Sequence, residues 1–168
     1  MTADDVLRIP DDDPLAIATS AAIHGGDVER LQILLMENPG LATARIVDKH
    51  GGARTLLHVA ADWPGHFPHG ANTVSLLISV GADPDAHMTP HPKDPNCVET
   101  PLHWAASSDD VGVLDALLDG GADIEAPGAI FTGGPPMSDA VVFAQWKAAR
   151  RLMDRGARTT LWQAAALG

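Results

Sequence analysis

Thr55-Leu56-Leu57-His58-Val59-Ala60-Ala61 returns 45 residues later as Thr100-Pro101-Leu102-His103-Trp104-Ala105-Ala106. It returns once more, 35 residues on, in the degraded form Pro135-Pro136-Met137-Ser138-Asp139-Ala140-Val141. Self-similarity at this period marks a repeat architecture, in which each unit buries its apolar face only against its neighbours. Each opening leads into an apolar segment that stops at a Gly-Ala pair: residues 74–78 before Gly81-Ala82-Asp83, residues 113–118 before Gly121-Ala122-Asp123, and a third ending at Gly156-Ala157-Arg158. Glycine supplies the left-handed residue with which helices end. The unit therefore reads as helix, turn, helix, glycine stop, then an extended hairpin. Thr or Pro starts the inner helix, paired Ala lets adjacent helices approach closely, and Leu fills the space between units.

These openings resemble the Thr-Pro-Leu-His-x-Ala-Ala signature of the ankyrin-repeat family, and the resemblance covers nearly the whole chain. It implies an all-α solenoid of stacked helix-turn-helix units with connecting hairpin loops, and a protein partner. It also implies that His58 and His103 are structural, each bracing the neighbouring hairpin. Partner contact would then fall on hairpin tips and on the two positions after each Ala-Ala pair, here Asp62-Trp63, Ser107-Ser108 and Val142-Phe143.

Spacing predicts departures from a regular array of about 33 residues per unit. Opening and glycine stop lie 21 residues apart in the third and fourth units but 26 in the second. About five extra residues therefore fall within residues 62–70, and about seven more within the hairpin 86–99. The expected organisation is a loose leader over residues 1–13, followed by a repeat domain over 14–168. Its units are 14–50, 51–96, 97–132 and 133–158, with a partial cap at 159–168. In the first unit, residues 15–24 read as inner helix, Gly25-Gly26 as turn and Asp27 as N-cap of an outer helix ending near Met36. Asp109 and Asp110 read as caps of the outer helix that follows them. Met137, Phe143 and Trp146 read as core at helical spacing.

Composition narrows the function classes. With 22 acidic against 11 basic residues the chain carries a formal charge of −11, which repels a phosphate backbone or an anionic lipid surface. Neither nucleic acid nor membrane is an expected partner, and no apolar run approaches the roughly 20 residues that span a bilayer. A lone Cys97 cannot close an internal disulfide, and the first residues lack a secretory pattern, so a cytoplasmic setting is expected. Arg outnumbers Lys by eight to three and Ala is abundant, a composition of GC-rich bacterial type.

The chain reads as a binding module rather than an enzyme. Cys97, Ser107 and Ser108 lack the context of a nucleophile, no Gly-rich phosphate loop occurs, and no cofactor is implied. Trp63 is the leading anchor candidate, since large rigid aromatics dominate contact energies; its alternative role is to pin the inserted loop. Trp104, beside the buried Ala pair, either packs inward or shows an indole edge. His66 and His69 in the first insertion, with His87 and His91 in the second near Cys97, form either a solvated loop cluster or metal ligands. Zinc needs four well-placed ligands, and loops rich in Pro and Gly do not fix such geometry. A second reading has both insertions folding over the concave side to close a small-molecule or catalytic pocket around Trp63, His66, His69, Trp104 and Asp109. Leu161, Trp162 and Leu167 would leave the last unit with an apolar edge, a possible homodimer surface.

Overall fold

The computed structural model describes residues 6–90 and 98–168. Four helix pairs and a final helix stack along one axis: α1 (Pro14–Gly25) with α2 (Val28–Glu37), α3 (Leu56–Ala61) with α4 (Gly70–Ser79), α5 (Pro101–Ser107) with α6 (Val111–Asp119), α7 (Pro136–Val142) with α8 (Trp146–Asp154), then α9 (Leu161–Leu167). The first pair follows its sequence signals closely. Asp13 caps α1 by accepting the Leu15 N–H, Gly26 ends it with φ 68°, and Asp27 caps α2 by accepting the Arg30 N–H. The core runs unbroken through the stack, with Leu56, Leu57, Leu77, Leu102, Leu114, Leu117, Met137 and Leu152 fully buried. Both Ala pairs, 60–61 and 105–106, are buried between the inner helices, where only a methyl group fits.

The all-α expectation needs one correction. A three-stranded sheet, β1 (Arg8–Pro10), β2 (Arg45–Val47) and β3 (Ala53–Thr55), stands at the N-terminal end. β1 runs parallel to β2, pairing Ile9 with Ile46, and β2 runs antiparallel to β3, pairing Ile46 with Arg54. Residues 8–10 are thus an edge strand instead of part of a loose leader. Ile9 points into the core, and Pro10 sits where an edge strand tolerates a missing N–H.

Two further differences, at Asp109 and at Phe143 with Trp146, come from packing that local pattern does not carry. Asp110 caps α6 as expected, accepting the Val113 N–H at 3.1 Å, whereas Asp109 accepts the Ala148 N–H of the next unit at 2.8 Å. Met137 is buried, but Phe143 and Trp146 are about two-fifths exposed. The outer helices α6 and α8 are joined by Arg151 and Arg155, both paired with Asp115 at 2.8 Å.

Candidate functional site

Two inner helices, α3 and α5, are each tied to the following hairpin by a histidine. His58 Nδ1 accepts the Thr55 N–H at 3.3 Å, and its Nε2 lies 3.1 Å from the Glu99 carbonyl oxygen. His103 repeats this with the Thr100 N–H at 3.1 Å and the Gly134 carbonyl at 3.2 Å. A carbonyl can only accept, so Nε2 carries the proton and the ring is neutral. Burial is the main cause that drives the His58 pKa down to about 3 and that of His103 down to about 4. The structural role that the resemblance implied for both is thus visible in their geometry.

The residue that follows in each motif copy differs between units: Val59, Trp104, Asp139. Trp104 sets its ring against His58, centroids 5.0 Å apart and planes at 79°. Its Nε1–H donates to Glu99 Oε2 at 3.1 Å. Glu99 is only 7% exposed and Asp139 only 1%. The two carboxyl groups meet. Burial first, then the charge of Glu99 and a hydrogen bond with it, push the Asp139 carboxyl up to about 8, against the opposing Ile130 backbone N–H. Asp139 Oδ2 has no hydrogen-bond partner.

Above this pair lies a depression of about 180 Å³, walled by Trp63, Trp104, Ile130 and Phe143, with Asp62, Glu99 and Ser107 as its polar groups. Phe131 extends the wall, its ring 5.9 Å from that of Phe143. Trp63 is 78% exposed, so it stands free of the stack and does not pin the insertion. A second depression, of about 340 Å³, shares Trp104 and continues towards Asp11, Asp48 and Met88. Between them Arg54 Nη1 pairs with Asp62 Oδ2 at 2.8 Å.

Of the residues expected from sequence, Asp62, Trp63, Trp104, Ser107 and Phe143 converge on this one face. Ser108 does not: it is 6% exposed and its hydroxyl donates to the Ala61 carbonyl at 3.3 Å, joining two units. His66 and His69 are solvent-exposed on the inserted loop, away from both depressions. The His66 N–H donates to Asp110 Oδ2 at 2.6 Å, and His69 serves as a left-handed turn residue with φ 55°. Phe67 stacks on His24 at 4.3 Å. The insertion therefore leans on the turns of the first and third units, which removes the geometric basis for a pocket closed by His66 and His69. His87 sits in the hairpin, its carbonyl accepting from Arg45 at 2.6 Å. His91 and Cys97 lie outside the described residues. Among the described residues no group of three His, Cys, Asp or Glu side chains converges as metal ligands.

Sequence reasoning missed Glu99, Ile130, Phe131 and Asp139. One signal was available for Asp139: a carboxylate at a motif position that holds Val and Trp in the neighbouring units.

Comparison with known proteins agrees with this architecture. The ankyrin repeat family model matches residues 54–88 and 99–129. An ankyrin repeat protein of fowlpox virus is 32% identical over 139 residues, which cover 82% of this chain and 27% of that protein. The chain thus spans about a quarter of the relative's length. That relative is viral, which gives no support to the bacterial origin suggested by composition. No helix among the described residues is long and apolar enough to cross a membrane. The motif, the histidine struts and the stacked helix pairs thus coincide with the two stretches, residues 54–88 and 99–129, that match the ankyrin repeat.

Proposed function

We propose that the concave side is the recognition face of a protein-binding module, and that it takes a basic or mixed-charge segment of its partner. The observation that carries this reading is the convergence of Trp63, Trp104 and Phe143 on a single depression that also presents Asp62 and Glu99. Exposed aromatics around a small hollow supply apolar area at little entropic cost, and acidic groups among them favour a cationic visitor. The formal charge of −11 adds long-range attraction for such a partner. A cytoplasmic setting, consistent with a lone cysteine, belongs to the same proposal.

The test is to capture the partner by cross-linking from cells that contain the protein, and then to measure its affinity calorimetrically. Trp63→Ala is expected to weaken binding roughly 30-fold, the loss of about 2 kcal/mol typical of a central anchor. Because Trp63 is outside the packed core, the variant should unfold at an unchanged urea midpoint. Full affinity in the variant would remove this face from the proposal.

The end formed by α9 is a candidate surface for a second copy, with Leu161 93% exposed and Trp162 beside it. Light scattering over a hundredfold range of concentration should reveal a dimer at the upper end. The mass of one chain throughout would discard that contact.

A further inference from the structure

We propose that the face of α8 turned away from α6 is a contact between two copies of this chain, related by a twofold axis that crosses α8 and sets Arg150 of each copy against the partner's Asp154. This rests on the reading of the α9 end as a surface for a second copy and names the contact and its geometry. It is independent of the concave face.

The joint between α6 and α8 supplies the register. Both are outer helices of nine residues, Val111–Asp119 and Trp146–Asp154. α6 meets α8 through its fifth and ninth residues: Asp115 holds Arg151 and Arg155 at 2.8 Å, and Asp119 holds Arg155 at 2.7 Å. The fifth and ninth residues of α8 are Arg150 and Asp154. Trp146 lies one turn before Arg150 and Met153 one turn after it, so the four side chains share one face of the helix. Trp146 is 40% and Met153 45% exposed. Arg150 and Asp154 are exposed and take no part in the ion pairs with α6. α9 packs alongside α8 and adds Leu161 and Trp162, both exposed, to the same end. Large apolar side chains gathered on an exposed face mark an association surface.

Charge selects the occupant. α6 offers two acids and α8 answers with two arginines, so the two sides of that joint differ. The outward face of α8 carries one charge of each sign instead. Another pair of arginines at the places of Arg151 and Arg155 would be repelled by Arg150. A second copy of the same face is accepted: turned end for end, it presents Asp154 to Arg150 and Arg150 to Asp154, and both pairs form at once. An isologous contact needs this self-complementarity. The axis passes level with Leu152, midway between the two charges, and brings Met153 of one copy beside the partner's Met153. Five of the eleven basic residues, Lys147, Arg150, Arg151, Arg155 and Arg158, lie on or just after α8. Repulsion between two chains of charge −11 is therefore least at this end. Apolar burial supplies the affinity, and the two ion pairs fix the register.

The test is sedimentation equilibrium of wild type, Arg150→Glu and Asp154→Arg, each alone and the two variants mixed. Wild type is expected to dimerise. Each variant sets like charges together twice, so its own dimer should weaken at least about tenfold. The equimolar mixture should recover wild-type affinity as a heterodimer, because the new acid of one variant faces the new base of the other while Arg150 and Asp154 form the second pair. Recovery also shows that both variants fold. The mass of one chain for wild type at every concentration would overturn the inference together with the second-copy reading. A wild-type dimer that Arg150→Glu leaves unchanged would overturn the inference while the α9 contact stands. Weakened variants that stay apart when mixed would refute the twofold pairing, as for a face that receives a different partner.

Discussion

Replacing His58 by alanine is expected to lower the free energy of unfolding by about 4 kcal/mol, close to the whole stability of a marginal domain. The ring satisfies the Thr55 N–H and the Glu99 carbonyl, both buried. Each such group left without a partner costs about 1–3 kcal/mol, and the space left by the ring adds a cavity term. Glutamine should recover about half of the loss. The last unit already makes that choice: Gln163 accepts the Thr160 N–H through Oε1 at 2.7 Å and donates through Nε2 to Ser138 Oγ at 3.1 Å.

The same pair of proteins isolates an acid sensitivity. A histidine whose folded pKa is depressed, here from 6.5 to about 3, takes up its proton first in the unfolded chain. Its contribution is complete above the unfolded value and is lost as pH falls towards the folded one. The advantage of wild type over His58→Gln should therefore shrink by about 2 kcal/mol between about pH 8 and pH 5. Asp139 has the opposite sign: with a pKa raised to about 8, its contribution is complete below its unfolded value and is lost as pH rises towards 8. Comparing the two proteins at each pH cancels that opposing term. Urea midpoints that change in parallel for both would show that the ring does not titrate on unfolding.

Gly26→Ala is expected to cost about 3 kcal/mol, most of it by displacing the inserted loop. Gly26 has φ +68°, and a Cβ there would overlap the Pro68 carbonyl. A left-handed alanine costs about 1–2 kcal/mol, and overpacking against backbone a further 1–3. Gly133 provides the control, because it has φ +67° with nothing within 4 Å of its would-be Cβ. Gly133→Ala should show the conformational cost alone. If the two variants melt alike, the loop yields freely and is not packed on the first unit. Thermal denaturation decides, together with the ring signals of His24 and Phe67, whose stacking should be lost only in Gly26→Ala.

The repeats were legible because their chemistry is local: a threonine or proline, a histidine three residues later, an alanine pair and a glycine stop all fall within one unit. The same holds for Asp27 and Asp110 as caps. β1 was not legible, since three residues with a single inward Ile9 make no periodic signal and the strand exists only because β2 lies beside it. Half of the recognition face was visible through motif position, in Asp62, Trp63, Ser107 and Phe143. Glu99 was hidden because nothing in Val98-Glu99-Thr100 announces burial, which comes from tertiary neighbours such as Trp104. Ser108 was misassigned for the complementary reason: a small polar residue at a variable position looks available until the neighbouring unit offers the Ala61 carbonyl.

The struts that hold the units together end on main-chain oxygens, those of Glu99 and Gly134. A carbonyl is present whatever side chain its residue bears, so the joint between units places no demand on the identity of residue 99. Cohesion and selectivity are therefore written in separate alphabets along the same few residues. A protein engineer could exchange the aromatic walls and the acidic floor for a different set, redirecting the face to another class of partner while the scaffold beneath keeps its form.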